Sequence, residues 1–267
     1  MARPLQLAPA LIVAALSRFG GLRGMATTYQ ACSAALAKLG EPEAAWIAAD
    51  RAMDAAERAG NPMLVAAGAF RLVFVFLAAR HYDQAEEMAR TAADALRAAA
   101  EAGDPAAMSL WGGLTLQRAV IASRLNDSDT AYSQLDLAKD VAGNLGEGRN
   151  DFDTEFGPAK VSIHEVAIAI ELGDAGRALR VASGLDASRL SPERQSRLLI
   201  DVARAHAQRR QADEAVAALL QAEEIAPDQV RGHEVVRQLV NDLMAVRERP
   251  TSGLRDLAAR LTARRLD

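Results

Sequence analysis

Histidine and cysteine are the side chains here with the widest acid–base and metal chemistry, and the sequence holds four histidines and one cysteine. No histidine has a second one four residues away, which is the spacing of a helical metal site. His164 and Glu165 are adjacent, so on a helix they point about 100° apart and do not share a metal. Cys32 is alone, which excludes an internal disulfide. We therefore expect no metal, no cofactor and no enzymatic function.

A stretch between residues 150 and 158 combines two aromatic side chains with amide and carboxylate groups. It contains Asn150, Asp151, Phe152 and Phe156, and His164 follows it in the next helix. Two interpretations are open at this point. In the first, both phenylalanine rings lie in the seam between the third and fourth of the helix pairs that the repeats predict. In the second, the loop contacts a ligand together with His164.

Polar stripes on predicted helices are the other candidates for binding. The first two candidates below have a second interpretation as a solvated face with arginine–carboxylate pairs worth a few tenths of a kcal/mol. The third is a candidate because a polar group in an apolar run needs a partner. The candidates are Arg197, Asp201 and Arg204 with Gln208 on one face; Trp111 and Arg118, seven residues apart; and Arg71 with Phe74, beside Phe70.

Composition favours helix along almost the whole chain. Half of the 267 residues are hydrophobic but only 4% are aromatic, so the apolar content is mostly Ala, Leu and Val. Ala and Leu are strong helix formers, and so is Arg, which supplies nearly all of the positive charge. The net charge of −4 argues against direct nucleic-acid binding, which needs a concentrated basic surface. The apolar run 5–16 is too short to span a bilayer, so we expect a cytoplasmic protein without a membrane segment.

A repeated pattern organises these helices. A turn residue is followed, five positions later, by an alanine that opens an apolar helix face, and a second helical segment precedes each turn. Successive alanines lie between 37 and 47 residues apart, which exceeds the tetratricopeptide period of about 34. The five alanines are Ala45, Ala85, Ala131, Ala178 and Ala215.

The pattern predicts an all-α, tetratricopeptide-like array of helical hairpins, an α-solenoid of about five repeats, in one domain over residues 1–267. The repeats span about 22–226. A helix over about 9–19 precedes them, and two closing helices follow over about 230–247 and 251–265. Prolines at 62, 105, 192 and 227 lie at or near helix starts, where the missing N–H costs nothing.

Two segments resemble a known family. They are the string Arg149-Asn-Asp-Phe-Asp-Thr-Glu-Phe-Gly-Pro158 with His164, and the helix around Asp201, Arg204 and His206. Both are similar to the C-terminal repeat region of actinobacterial XRE-type helix-turn-helix transcriptional regulators. The resemblance covers most of the chain from about residue 25. Family members place a DNA-binding domain before the repeats, and nothing before residue 22 has the length of that domain.

The resemblance implies a regulatory sensor that binds a peptide, a small-molecule effector or a partner protein in a concave groove. Binding would alter dimerisation or DNA contact of an attached or separate helix-turn-helix domain. The alternative is a stand-alone protein–protein adaptor without a small ligand. If the chain forms a homodimer, we expect the contact at its arginine-rich end, residues 247–265.

Overall fold

The structure is a computed structural model, and it describes residues 21–246 and 251–263. These residues form thirteen α-helices and two short 3₁₀ segments, with no strand among them. The predicted helix over 9–19 lies outside the described residues. The helices of the five pairs are α1 (Leu22–Lys38) and α2 (Pro42–Arg58), α3 (Pro62–Ala78) and α4 (Tyr82–Glu101), α5 (Pro105–Arg124) and α6 (Ser128–Leu145), α7 (Pro158–Glu171) and α8 (Ala175–Ser183), and α9 (Pro192–Gln208) and α10 (Ala212–Ile225).

The turn within each pair has the same backbone form. Its first residue has a positive φ, between 59° and 78°, and the next N–H bonds back to a carbonyl five residues earlier. This is the left-handed C-terminal cap that glycine adopts without strain. The predicted turn residues occupy this position in all five pairs: Gly40, Arg80, Asn126, Gly173 and Arg210.

The alanine after each turn is the fourth residue of the second helix, and its side chain is fully buried in all five pairs. A methyl group at this position lets the two helices of a pair approach closely, whereas a larger side chain would separate them. The predicted five repeats of helical hairpins are thereby confirmed.

Helix starts between pairs are fixed by side-chain caps followed by proline. Asn61 Oδ1 accepts hydrogen bonds from the N–H groups of Met63 and Leu64, at 3.1 and 3.2 Å. Asp104 Oδ1 accepts from Ala106 and Ala107. Each cap satisfies backbone donors that have no partner within the helix.

The closing region contains three helices where the sequence predicted two: α11 (Pro227–Gly232), α12 (Glu234–Val246) and α13 (Ser252–Ala263). The predicted continuous helix from about 230 to 247 is broken at His233, whose ψ of 117° is extended rather than helical. Within this region Arg260 donates two hydrogen bonds to Glu223, at 2.8 and 2.5 Å, and Arg231 donates a third at 3.0 Å. These bonds tie α13 and α11 to α10.

The chain divides into two compact units, unit 1 (Met1–Val161) and unit 2 (Ser162–Asp267). The single repeat domain over 1–267 remains a prediction. In the part of unit 1 that is described, the core lies between α3, α4 and α5. In unit 2 one apolar cluster lies between α7, α8 and α9, and another between α9, α10 and the closing helices.

Candidate functional site

The loop between α6 and α7 is anchored on α5 by Phe156. This side chain is 1% exposed, and its ring lies directly against the backbone of Gly112. A Cβ added to Gly112 would overlap Cζ and Cε1 of the ring and lie 3.0 Å from Cε2. A Cβ on Gly113 would lie 3.2 Å from Cε2 of Phe70. The paired glycines therefore let two aromatic rings pack against one helix.

Phe152 is the second aromatic anchor of the loop. It is partly buried and packs against two apolar clusters, one containing Ala26 of α1 and Leu64 of α3, the other containing Phe70 of α3 and Leu110 of α5. The loop thus contacts α3 and α5, the first helices of two consecutive pairs. Phe152, Asp153 and Glu155 all have φ near 50°, a conformation that non-glycine residues adopt only where the surroundings impose it.

Arg71 of α3 binds the main chain of this loop. Its NH2 group donates to the carbonyl oxygens of Phe152 and Asp153, both at 3.1 Å, and its guanidinium carbon lies 5.5 Å from the centre of the Phe70 ring. Burial lowers the pKa of Arg71, against the nearby Asp153 carboxylate, which raises it. The contact recognises backbone rather than a particular side chain.

Thr154 lies between Phe152 and Phe156 in the loop and contacts α5. The side chain is fully buried, and its hydroxyl lies 2.6 Å from that of Ser109 in α5. Lys160 Nζ donates to the carbonyl oxygen of Thr154 at 2.6 Å. Asn150 stabilises the same turn by accepting from the N–H of Glu155 at 2.8 Å and donating to Asp153.

The other predicted binding residues of unit 1 fall into two groups. Some pack beside the α6–α7 loop, and others form contacts elsewhere. Phe74 meets Phe70 edge-on, with ring centroids 5.0 Å apart, and both Phe74 and Trp111 pack with Phe152 around one apolar cluster. Arg118 points elsewhere, donating to Glu86 of α4 at 2.7 Å. Asp151 accepts two hydrogen bonds from Arg149.

In unit 2, Arg204 links α9 to α7. It donates to Glu171 at 2.7 Å and to Asp201 at 3.2 Å. Burial raises the pKa of Asp201, and the Arg204 charge opposes that shift. Arg197 is exposed, and the structure does not bring it into hydrogen-bonding contact with Asp201 or Arg204. His164 is half-buried on α7.

A cleft of about 750 Å³ lies beside Arg204, between the α9–α10 turn and α12. Its floor is apolar, with Val235, Leu239 and Leu243 of α12 spaced four residues apart; Leu239 and Leu243 also belong to the core of unit 2 and are only 9% and 6% exposed. Exposed polar side chains stand at its edge. They are Gln208 and Arg210 on one side, and Gln238 and Asp242 on the other.

A second cavity, of about 400 Å³, lies in unit 1 between α2, α3 and α4, and is lined by Trp46, Val75 and Phe76. Trp46 is 52% exposed. In the described ranges, no group of three or more His, Cys, Asp or Glu side chains is placed to hold a metal ion. Over the same ranges no helix is long and apolar enough to cross a membrane.

Comparison with known proteins adds one finding about the fold. No family model matches the chain, and no curated protein matches it. Among solved structures, the crystal structure of a thermophilic TPR protein from Thermus thermophilus is similar, with a TM-score of 0.54 and 17% identity over 82% of this chain and 99% of that one. The fold is tetratricopeptide-like. At this identity the likeness concerns the fold alone.

The cleft of unit 2 includes functional candidates that the sequence did not single out, namely the polar and apolar side chains of α12. Their i, i+4, i+8 spacing is visible in the sequence, but the same spacing is typical of ordinary core residues. Lys160, Thr154 and Ser109 were missed for a different reason, because isolated polar residues carry no periodic signal.

Proposed function

We propose that this tetratricopeptide-like protein is an interaction module that binds a helical segment of a partner protein in the cleft of unit 2. The observation that supports this most directly is the shape and chemistry of the cleft. Val235, Leu239 and Leu243 form a floor about 12 Å long, at 1.5 Å per helical residue. An apolar floor of this length with polar edges suits an amphipathic helix lying along it.

The charged side chains at the edges of the cleft favour one orientation of the bound partner helix. Arg210 carries a positive charge at the α9–α10 turn, and Asp242 carries a negative one on α12. A partner helix with an acidic residue on one flank and a basic residue on the other would pair with both. Such exposed pairs contribute little affinity but suppress the reversed orientation, because it would place like charges together.

We further propose a regulatory role, in line with the family resemblance. Occupancy of the cleft would control an attached or separate helix-turn-helix domain in the cytoplasm, either through a partner segment or through a small-molecule effector of the same cleft. Control of this kind requires that the bound molecule has different affinities for two conformations of the chain. A change in the small-angle scattering profile on saturation with the bound molecule supports this role, and an unchanged profile contradicts it.

Site-specific cross-linking tests the binding proposal. A photo-reactive amino acid replaces Gln238 in the full chain, expressed in its own host, and adducts are identified by mass spectrometry. The control places the same group at Asn144, an exposed residue of α6 outside the cleft lining. We expect one defined polypeptide adduct from position 238, absent from 144 and reduced by Asp242→Lys. The same adducts from both positions, or none from either, would refute the proposal.

A further inference from the structure

The α6–α7 loop contacts unit 1 in the way that a separate peptide would. Its segment 150–156 contacts α3 and α5, and it is held by two aromatic anchors four positions apart. Phe156 fits the surface opened by Gly112, and Phe152 packs against the apolar clusters that contain Leu64 and Phe70 of α3. Two rings in two separate sites fix both the position and the direction of the segment.

Main-chain recognition accompanies the two anchors. Arg71 donates to two successive carbonyl oxygens of the loop, and Lys160 donates to the next one, that of Thr154. These bonds depend on the path of the backbone and not on the identity of the side chains. The two bonds from Arg71 are therefore available to any segment that follows the same path, whereas Lys160 lies at the start of α7, six residues from Thr154.

Charge defines the segment that this surface accepts. The loop carries three carboxylates, on Asp151, Asp153 and Glu155, while the groups that hold its backbone are the cations Arg71 and Lys160. Burial lowers the pKa of Arg71 and the Asp153 carboxylate opposes this. Of the three, Asp151 pairs with Arg149 of the loop itself, whereas the Asp153 charge acts on Arg71. The loop thus offers two aromatic rings and one carboxylate to a surface that is apolar and carries one cation.

The loop pays a conformational penalty to lie there. Phe152, Asp153 and Glu155 hold left-handed backbone angles, which persist only while the surrounding contacts impose them. Loss of one anchor removes part of what imposes those angles. The bound state of the loop is therefore one that a competing segment can displace.

We propose that the surface of unit 1 formed by α3 and α5 is a peptide-binding groove that the segment 150–156 occupies as an internal ligand. Its external ligand is a segment of a partner protein with two aromatic residues four positions apart and a carboxylate beside the first, which displaces the loop. This goes beyond the cleft of unit 2, because it involves different residues and is tested without them.

The test uses a fluorescently labelled peptide with the sequence of residues 149–157, whose binding to the full chain is followed by anisotropy. In the wild-type chain the internal loop competes, which lowers the apparent affinity by the fraction of chains whose groove is free. Phe156→Ala weakens the internal loop but leaves the groove intact. We expect this variant to bind the peptide about tenfold or more tightly than the wild type.

A second variant and two controls make the result decisive. Thr154→Val removes the hydroxyl next to Ser109 and should also increase peptide binding. A peptide with both phenylalanines replaced by alanine should not bind. Adding Arg71→Ala to Phe156→Ala should abolish binding of the native peptide.

The proposal is overturned if both folded variants bind the peptide no better than the wild type, or bind the alanine peptide equally well. If neither variant keeps its helical circular dichroism, hydrogen exchange in the wild-type chain decides. Excess peptide must then accelerate exchange of the loop amides of residues 152 to 156, and unchanged exchange would reject the internal-ligand interpretation. None of these results depends on Gln238 or Asp242, so failure here is distinct from failure of the cleft proposal.

Discussion

Replacing Gly112 with alanine places a methyl group where the Phe156 ring lies. Two opposing effects determine the result. Alanine in a helix interior is favoured over glycine by about 0.5–1 kcal/mol. Against this, the new methyl overlaps two atoms of a ring that is 1% exposed and enclosed, and overpacking of a filled core costs about 1–3 kcal/mol. We expect a net loss of roughly 1–2 kcal/mol in the free energy of unfolding.

Gly143 is the matched control. It lies in α6, it is exposed, and a Cβ added there has no atom within 4 Å. Gly143→Ala should therefore stabilise by up to about 1 kcal/mol. Urea unfolding of the full chain, followed by circular dichroism, measures both variants. If Gly112→Ala stabilises the chain as Gly143→Ala does, the packing of Phe156 on α5 is wrong.

A double-mutant cycle identifies the ring as the cause. Phe156→Ala alone should cost about 3 kcal/mol, as is usual for a buried phenylalanine. In that background the methyl of Gly112→Ala has room, so it should become neutral or stabilising. The coupling energy should be about 1–3 kcal/mol, and a coupling near zero would show that the two residues do not touch.

Three further predictions concern the turns, the caps and the closing helices. Arg80→Gly should stabilise unit 1 by about 0.5–1 kcal/mol in urea unfolding, because Arg80 has a φ of 60° that glycine adopts without strain; destabilisation would contradict the turn geometry. Asp104→Ala should cost about 1 kcal/mol in the same assay, because it removes the cap of α5, and no change would show that the cap is not formed. The hydrogen bond with Arg260 is the main reason that the pKa of Glu223 is lowered. The stabilisation that the Glu223 carboxylate contributes to the fold is therefore complete above its unfolded pKa of about 4.3 and is lost as the pH falls through the lower folded value. Unfolding titrations should show this loss in the wild type and not in Glu223→Gln.

The sequence predicted the repeats because their signal is local and repeated. A turn residue followed five positions later by alanine reflects two linked requirements, a left-handed cap and a close approach of the two helices. The combination occurs in five places. The closing helices were predicted less well. A single residue outside helical geometry, His233, breaks the predicted helix, and the buried Val230 and Val236 on either side of it are six residues apart, which is not a helical spacing.

The sites were less predictable because their contacts join distant parts of the chain. The string around Phe152 and Phe156 was distinctive in the sequence, but its contacts with Arg71 span about eighty residues. The Gly112-Gly113 pair was visible, yet only the structure shows that rings occupy the space of the missing side chains. The predicted groove residues Trp111, His164 and Arg197 remain predictions as ligand contacts.

Native mass spectrometry of the full chain, purified gently from its own host, tests the central claim most directly. The wild-type chain and the Asp242→Lys variant are compared, since Asp242 is exposed at the edge of the unit 2 cleft. We predict a wild-type species carrying one polypeptide of defined mass, with that species lost or strongly reduced in the variant. A polypeptide retained equally by both chains, or a bare chain in both, would contradict binding in the cleft.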